Sequence, residues 1–161
     1  MARYVRPKKK PQARSGKKHT YNGVTFSSGL ELFMWKELTR AGINAEYESE
    51  SFELVPAFTL PNESWERKAN GKGEMLMKEN VKIRSMKYTP DFIIRYPDGC
   101  IHCIIETKGY ANEAFPLRWK LFKQRIKQHY PNVVLFKPQK QSECLVVIDR
   151  ILKLQKNEKS N

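Results

Sequence analysis

The strongest constraint on the fold is a pair of strand-like segments joined by a tight turn. Residues Lys82–Tyr96 and Cys100–Thr107 have strand-like patterns, and the turn signal Pro97-Asp98-Gly99 separates them. Two such segments around a short turn pair as an antiparallel hairpin. Their apolar runs, such as Ile101–Ile105, are much shorter than the ~20 residues needed to span a bilayer. We therefore expect core strands and no membrane span.

The rest of the chain alternates between helical and strand patterns. Ser28 and Glu31 stand in capping-box spacing before apolar residues at helical spacing, and Gly42 follows them as a C-terminal signal. In chain order we predict a helix (28–41), a strand (45–55), a mobile loop or hairpin insertion (61–80), the hairpin, a helix (112–129), a short strand (133–136) and a last segment (142–154) that is a helix or a strand continuing into one, with the helix favoured. This order predicts an α/β domain around a mixed β-sheet.

Charge indicates a polyanionic partner. The chain has 30 Lys and Arg against 17 Asp and Glu, a net charge of +13, and residues 1–20 carry eight of these bases and no acid. We predict a disordered basic arm (1–20), one domain (21–155) and a flexible tail (156–161). Nucleic acid is favoured over a membrane surface, because the arm lacks the large apolar residues of a membrane-binding helix. Without a secretory signal pattern, a cytoplasmic location is expected.

Two carboxylates and a lysine are expected to converge at the ends of the two strands. Glu106 and Lys108 are two residues apart, so their side chains leave the same face. A two-residue turn would place Asp91 directly opposite Glu106, whereas a three-residue turn with Gly99 left-handed would place it opposite Ile105 unless a bulge intervenes. Both registers stay open. Adjacent carboxylates suit a hard divalent cation such as Mg²⁺, although an exposed ion pair at a strand end is the plainer interpretation of Glu106 and Lys108.

The same residues carry a resemblance. Pro90-Asp91 followed by Glu106-Thr107-Lys108 resembles the signature of the PD-(D/E)xK nuclease superfamily, which includes restriction endonucleases and Holliday-junction resolvases. The order helix, three strands, helix, strand is similar to its core. Four blocks are similar to small phage-encoded proteins thought to be endonucleases: 24–31, 52–58, 88–92 and 106–109.

The resemblance implies a restriction-endonuclease-like core and metal-dependent hydrolysis of DNA phosphodiester bonds. It implies Mg²⁺, or Mn²⁺ as a substitute, held by Asp91, Glu106 and the backbone carbonyl of Thr107, with Glu31 supporting the metal. Lys108 would position the attacking water. Selectivity for branched or junction DNA is typical of small relatives, and a homodimer would supply the two sites that paired cuts need. A phage protein of this kind would act in the host cytoplasm.

Substrate contacts are expected from basic residues near the site and in the arm. They are Arg118, Lys120 and Lys123 on the second helix, and Lys8, Lys9 and Lys10 in the arm. A solvated helix face is the alternative for the first three. Trp65 with Arg67, Lys68 and Lys72 is a further candidate, for stacking on unpaired bases. The alternative function is a non-catalytic nucleic-acid-binding module on a nuclease-like fold.

Overall fold

A computed structural model describes residues 17–67, 73–109 and 113–158. The strands are β1 (His19–Tyr21), β2 (Val24–Phe26), β3 (Glu46–Tyr47), β4 (Phe52–Val55), β5 (Phe58–Leu60), β6 (Ser64–Glu66), β7 (Leu76–Lys78), β8 (Val81–Ile83), β9 (Met86–Tyr88), β10 (Phe92–Arg95), β11 (Ile101–Ile105) and β12 (Val134–Phe136). The helices are α1 (Gly29–Arg40), α2 (Phe115–His129) and α3 (Gln141–Glu158). None of these helices is long and apolar enough to cross a lipid bilayer.

A four-stranded mixed sheet forms the centre of the fold. Its order is β12-β11-β10-β3, with β11 antiparallel to β10 and parallel to β12. Side chains of β10 and β11 alternate between two buried layers. One layer, which includes Phe92 and Ile105, packs with α1 and α3, and the other, which includes Ile93 and Ile104, packs with α2. The predicted α/β architecture with a mixed sheet flanked by helices is confirmed.

The β10–β11 hairpin combines the two features that the sequence left open. Its turn has three residues, because the Tyr96 N–H donates to the Cys100 carbonyl and Gly99 has a φ of 87°. A bulge follows: Arg95 pairs with Ile101 but Ile94 pairs with Cys103, so His102 is an extra residue. The bulge offsets the longer turn. Continued past Phe92 and Ile105, this register brings Asp91 opposite Glu106.

Helix α1 begins as the capping box predicts. The Ser28 hydroxyl oxygen accepts a hydrogen bond from the Glu31 N–H at 3.2 Å, and Gly42 has a φ of 69° just after the helix. A turn at Asn22 and Gly23, both with positive φ, joins β1 to β2 as a hairpin. Strand β1 begins at His19, so residues 19 and 20 belong to a hairpin and the prediction of a disordered arm is wrong for them.

Two predicted long strands are each divided. The prediction of one strand over 45–55 is wrong, because Glu48, with a φ of 46°, separates β3 from β4. The prediction of one strand over 82–96 is also wrong: it is divided into parts of β8, β9 and β10. Pro90, which lacks an N–H, lies between β9 and β10, where the chain leaves one sheet and enters another.

The segment between β4 and β9 is a two-stranded ribbon. Three antiparallel pairs follow one another, β4 with β9, β5 with β8 and β6 with β7. Of the two alternatives for residues 61–80, the hairpin insertion is therefore confirmed. The name "ribbon" is used below for the described residues 52–67 and 73–88.

The last two helices match their predicted positions, with different ends. Helix α2 begins at Phe115, and Asn112, its predicted start, lies outside the described residues. The favoured helix over 142–154 is confirmed. It continues to Glu158, into the predicted flexible tail, because no proline or glycine after Leu154 stops it and Lys156 suits the negative end of the helix dipole.

Candidate active site

The main chain holds Asp91 and Glu106 side by side where β10 begins and β11 ends. The Asp91 carbonyl accepts a hydrogen bond from the Glu48 N–H at 2.9 Å. Across the sheet, the N–H groups of Glu106 and Lys108 donate to the carbonyls of Phe136 and Pro138, each at 2.9 Å. The segment 106–108 is therefore supported by the chain that continues from β12, although it is not itself a strand.

Thr107 fixes the carboxylate of Asp91. Its backbone N–H and its hydroxyl both donate to Oδ2 of Asp91, each at 2.6 Å. Thr107 and Glu106 are each only 5% exposed. Because both bonds end on Oδ2, the side chain is held in one orientation and Oδ1 stays available to a further partner.

The two carboxyl groups disfavour each other's ionisation. The pKa of Asp91 is raised to about 8, mainly by burial and also by the charge of Glu106, and the hydrogen bonds from Thr107 partly offset these effects. Burial also raises the pKa of Glu106, while the Tyr88 hydroxyl and the charge of Lys108 lower it. Ionising two buried carboxylates at neutral pH is energetically unfavourable unless a cation binds between them.

Lys108 places its ammonium group beside this pair. Its Nζ lies 3.9 Å from Oε1 of Glu106 and 4.7 Å from the centre of the Phe115 ring at the start of α2. Lys137 reaches the same ring, with its Nζ at 5.8 Å. Sequence analysis missed Lys137, because its approach depends on the parallel pairing of β12 with β11 and on Phe115, and no local pattern indicates either.

Glu31 lies in the first turn of α1, and its carboxylate is held by hydrogen bonds from the start of that helix and from β3. One carboxylate oxygen accepts hydrogen bonds from the Ser27 N–H and the Tyr47 hydroxyl, and the other accepts one from the Ser28 hydroxyl, all at 2.8 Å. Its charge nevertheless raises the pKa of Asp91 and of Glu106. The described ranges contain no group of three His, Cys, Asp or Glu side chains positioned to hold a metal ion. The close acidic pair is thus Asp91 with Glu106, and Glu31 acts on it through its charge.

Tyr88 is a site residue that sequence analysis missed. It is buried, and its hydroxyl makes no hydrogen bond of regular geometry within the described part of the chain. The hydroxyl nevertheless interacts with Glu106: burial raises the pKa of Tyr88, and the Glu106 charge raises it further. No local pattern indicated it, because Tyr88 precedes Asp91 by three residues, and an odd spacing puts two side chains on opposite faces of a continuous strand.

The predicted nucleic-acid contacts are only partly near the site. The Arg118 guanidinium lies 5.7 Å from the Tyr88 ring centre and donates a hydrogen bond to the Lys87 carbonyl at 2.7 Å. Its charge lowers the pKa of Glu106. Lys120 and Lys123 are exposed on α2. Lys8, Lys9 and Lys10 lie outside the described residues.

Comparison with known proteins gives a family but no activity. Residues 11–143 match a family described as a protein of unknown function, DUF1064. The chain belongs to the DUF1064 family. The match covers Glu31, Asp91, Glu106, Thr107 and Lys108, together with the whole central sheet. No curated protein and no solved structure matches the chain. What this DUF1064 member does must therefore be argued from its site.

Proposed function

We propose that this DUF1064 protein is a metal-dependent endonuclease that hydrolyses phosphodiester bonds in DNA. The observation that carries the proposal is the convergence of Asp91, Glu106 and Lys108 at one end of the β10–β11 hairpin. A buried acidic pair with a raised pKa costs stability, and structural roles do not require it. A lysine beside that pair can orient an attacking water and offset negative charge on a phosphate, as phosphodiester hydrolysis requires.

The topology supports a restriction-endonuclease-like core. Helix α1 precedes the sheet, β3, β10 and β11 pair antiparallel, α2 follows, and β12 pairs parallel to β11. This is the order that the PD-(D/E)xK resemblance implies. The ribbon is an insertion between β3 and β10 in that order.

The residues present fit a small hard cation. Asp91, through Oδ1, and Glu106 would hold it, together with the backbone carbonyl of Thr107. Mg²⁺ is commonly bound by one or two carboxylates, water and substrate phosphate, so a third acidic ligand is not required. When bound, Mg²⁺ or Mn²⁺ would offset negative charge on the phosphate and favour ionisation of water.

The chain's own groups supply the remaining chemistry. The Lys108 ammonium group, at the side of Glu106, would orient the attacking water and offset charge that develops on the phosphate. Phe115 limits its movement. Thr107 keeps Asp91 in place, and Glu31 adds negative charge behind the pair. Arg118 would bind phosphates next to the cut, and Lys120 and Lys123 would bind phosphates farther along α2.

The charge of the chain favours a nucleic acid as the substrate, and the resemblance to DNA nucleases makes DNA the proposed one. A net charge of +13 provides strong, salt-sensitive attraction to a nucleic acid backbone. We further propose selectivity for branched DNA, on the resemblance to junction resolvases alone.

Cleavage assays would test the proposal. The purified protein would be incubated with labelled linear duplex, single-stranded and four-way-junction DNA, in Mg²⁺ or in EDTA. Lys108→Ala should lower the cleavage rate by about 100-fold or more. Lys153→Ala is a matched control, because Lys153 pairs with Asp149 on α3. Tight binding without cleavage in any metal would instead support a non-catalytic DNA-binding module.

A further inference from the structure

Lys137 lies on the same face of the sheet as the acidic pair. Strand β12 is parallel to β11 with Phe136 opposite Ile105, so the next pair in this register is Lys137 with Glu106. The main-chain hydrogen bonds between the two chain segments continue beyond the strand ends. Residues that lie opposite each other in paired strands direct their side chains to one face. Asp91, Glu106 and Lys137 therefore form a row across three neighbouring segments, with Glu106 in the middle.

Helix α2 places a fixed aromatic ring beside this row. Residues two apart in a strand share a face, and Ile104, two residues before Glu106, packs in the same apolar layer as Phe115 and Trp119 of α2. Phe115 is only 6% exposed, and the ring of Trp119 is stacked on it with the ring centres 6.1 Å apart. The row of charged side chains therefore lies on the α2 side of the sheet, next to a ring that cannot move freely.

Two ammonium groups approach that ring. The Nζ atoms of Lys108 and Lys137 lie 4.7 Å and 5.8 Å from the centre of the Phe115 ring. A cation–π contact accounts for the approach of one lysine, whereas two like charges near one ring repel each other. Lys108 has Glu106 at 3.9 Å, but Lys137 is exposed and forms no salt bridge within the described part of the chain. An anion bound by both lysines would remove the repulsion.

The backbone next to Lys137 is held firmly. Pro138 is buried, and its carbonyl accepts the hydrogen bond from the Lys108 N–H at 2.9 Å. The two lysines are thus joined through the main chain as well as through the Phe115 ring. A side chain that starts from a fixed backbone loses less conformational freedom when it binds a ligand, which suits a built anion site.

We propose that Lys137 binds the phosphate group that is cleaved. This inference rests on the proposed hydrolysis and adds a residue to it. Because Glu106 lies between Asp91 and Lys137 in the row, a phosphate at the acidic pair has one side toward Lys137. Lys108 would orient the attacking water. As the water oxygen bonds to phosphorus, the leaving oxygen departs with the electrons of its bond, and Lys137 would offset negative charge on the phosphate.

Single-turnover cleavage at saturating protein tests the assignment, because it separates the rate of hydrolysis from DNA binding. Labelled DNA that the wild type cleaves would be incubated in Mg²⁺ with each variant. Lys137→Met keeps the aliphatic stem and removes the charge, and it should lower the rate by about 100-fold, as loss of one charge-stabilising donor does elsewhere. Lys137→Arg keeps the positive charge and should cleave faster than Lys137→Met.

Lys140→Met is the matched control. It removes the same charge from the same connection between β12 and α3, where Lys140 pairs with Glu143 at 3.7 Å. It should cleave at the wild-type rate. The affinity of Lys137→Met for DNA in EDTA should equal that of Lys140→Met, since each lacks one positive charge. Far-UV circular dichroism would verify that all three variants are folded.

Several results would overturn the proposal. A cleavage rate of Lys137→Met equal to that of Lys140→Met would mean that Lys137 contacts solvent only. A lower DNA affinity of Lys137→Met with an unchanged rate at saturation would assign Lys137 to a neighbouring phosphate. An equal loss of rate in Lys137→Arg and Lys137→Met would show that its charge is not what matters. A wild type that cleaves no DNA in Mg²⁺ or Mn²⁺ would instead refute the proposed hydrolysis, and the role of Lys137 with it.

Discussion

At the residue scale, Thr107 decides how Asp91 is presented. Two hydrogen bonds of 2.6 Å, from its N–H and its hydroxyl, end on the same carboxylate oxygen. Thr107→Val keeps the shape and removes the hydroxyl donor. We expect the Mg²⁺ concentration for half-maximal cleavage to rise by about 10-fold or more, as loss of a hydrogen bond to a metal ligand does elsewhere. Thr107→Ser keeps the hydroxyl, so its Mg²⁺ concentration for half-maximal cleavage should stay near that of the wild type. If Thr107→Val needs no more Mg²⁺ than the wild type, Thr107 does not have this role.

The Asp91 carboxyl should also make metal-free stability depend on pH. Its pKa in the folded protein is about 8, against ~3.9 for an ordinary aspartate, so between these values the folded state retains a proton that the unfolded state has lost. Stability in EDTA should therefore fall as pH rises from about 4 to 8, and the raised pKa of Glu106 acts in the same direction. Urea unfolding at pH 5 and pH 8 measures the loss. Asp91→Asn should show a smaller loss, and an equal loss in both proteins would rule out this cause.

At the element scale, α1 combines helix capping with placement of an acid. The Ser28 hydroxyl oxygen accepts from the Glu31 N–H while its proton is donated to the Glu31 carboxylate. Ser28→Ala should lower the free energy of unfolding by about 1 kcal/mol, which chemical denaturation measures. Ser28→Thr keeps both bonds and serves as the control. If Ser28→Ala and Ser28→Thr unfold alike, the cap is not a significant contributor.

Also at the element scale, α2 should present phosphate-binding lysines. Lys120 and Lys123 are exposed, and neither has a described ion pair. Each change to alanine should lower the slope of log affinity against log salt by about 1, measured by anisotropy of labelled DNA in EDTA. Lys153→Ala on α3 should leave the slope unchanged. An unchanged slope in both α2 variants would mean that Lys120 and Lys123 contact solvent and not DNA phosphates.

At the scale of the whole molecule, the sequence predicted the three helices, the β10–β11 hairpin, the strand β12 and the Asp91–Glu106 pair. Periodicity was sufficient for α1 and α2, because each has a clear apolar stripe, whereas for α3 it only favoured a helix over a strand continuing into one. The register was not predictable, since Pro97 allowed two turns and nothing local indicated the bulge at His102. The break at Glu48 and the approach of Lys137 to Phe115 depend on long-range packing. Glu31, predicted as a metal-supporting residue, accepts three hydrogen bonds from protein donors, and its catalytic role stays a prediction.

The most direct test of the central claim is the rate of Mg²⁺-dependent DNA cleavage by Asp91→Asn. This variant keeps an oxygen for the Thr107 donors and removes the charge that Asp91 would offer to a metal ion. We predict that it folds and binds DNA in EDTA as the wild type does, while its cleavage rate falls by about 100-fold or more. A cleavage rate of Asp91→Asn equal to that of the wild type would contradict the assignment of this pair as the catalytic site.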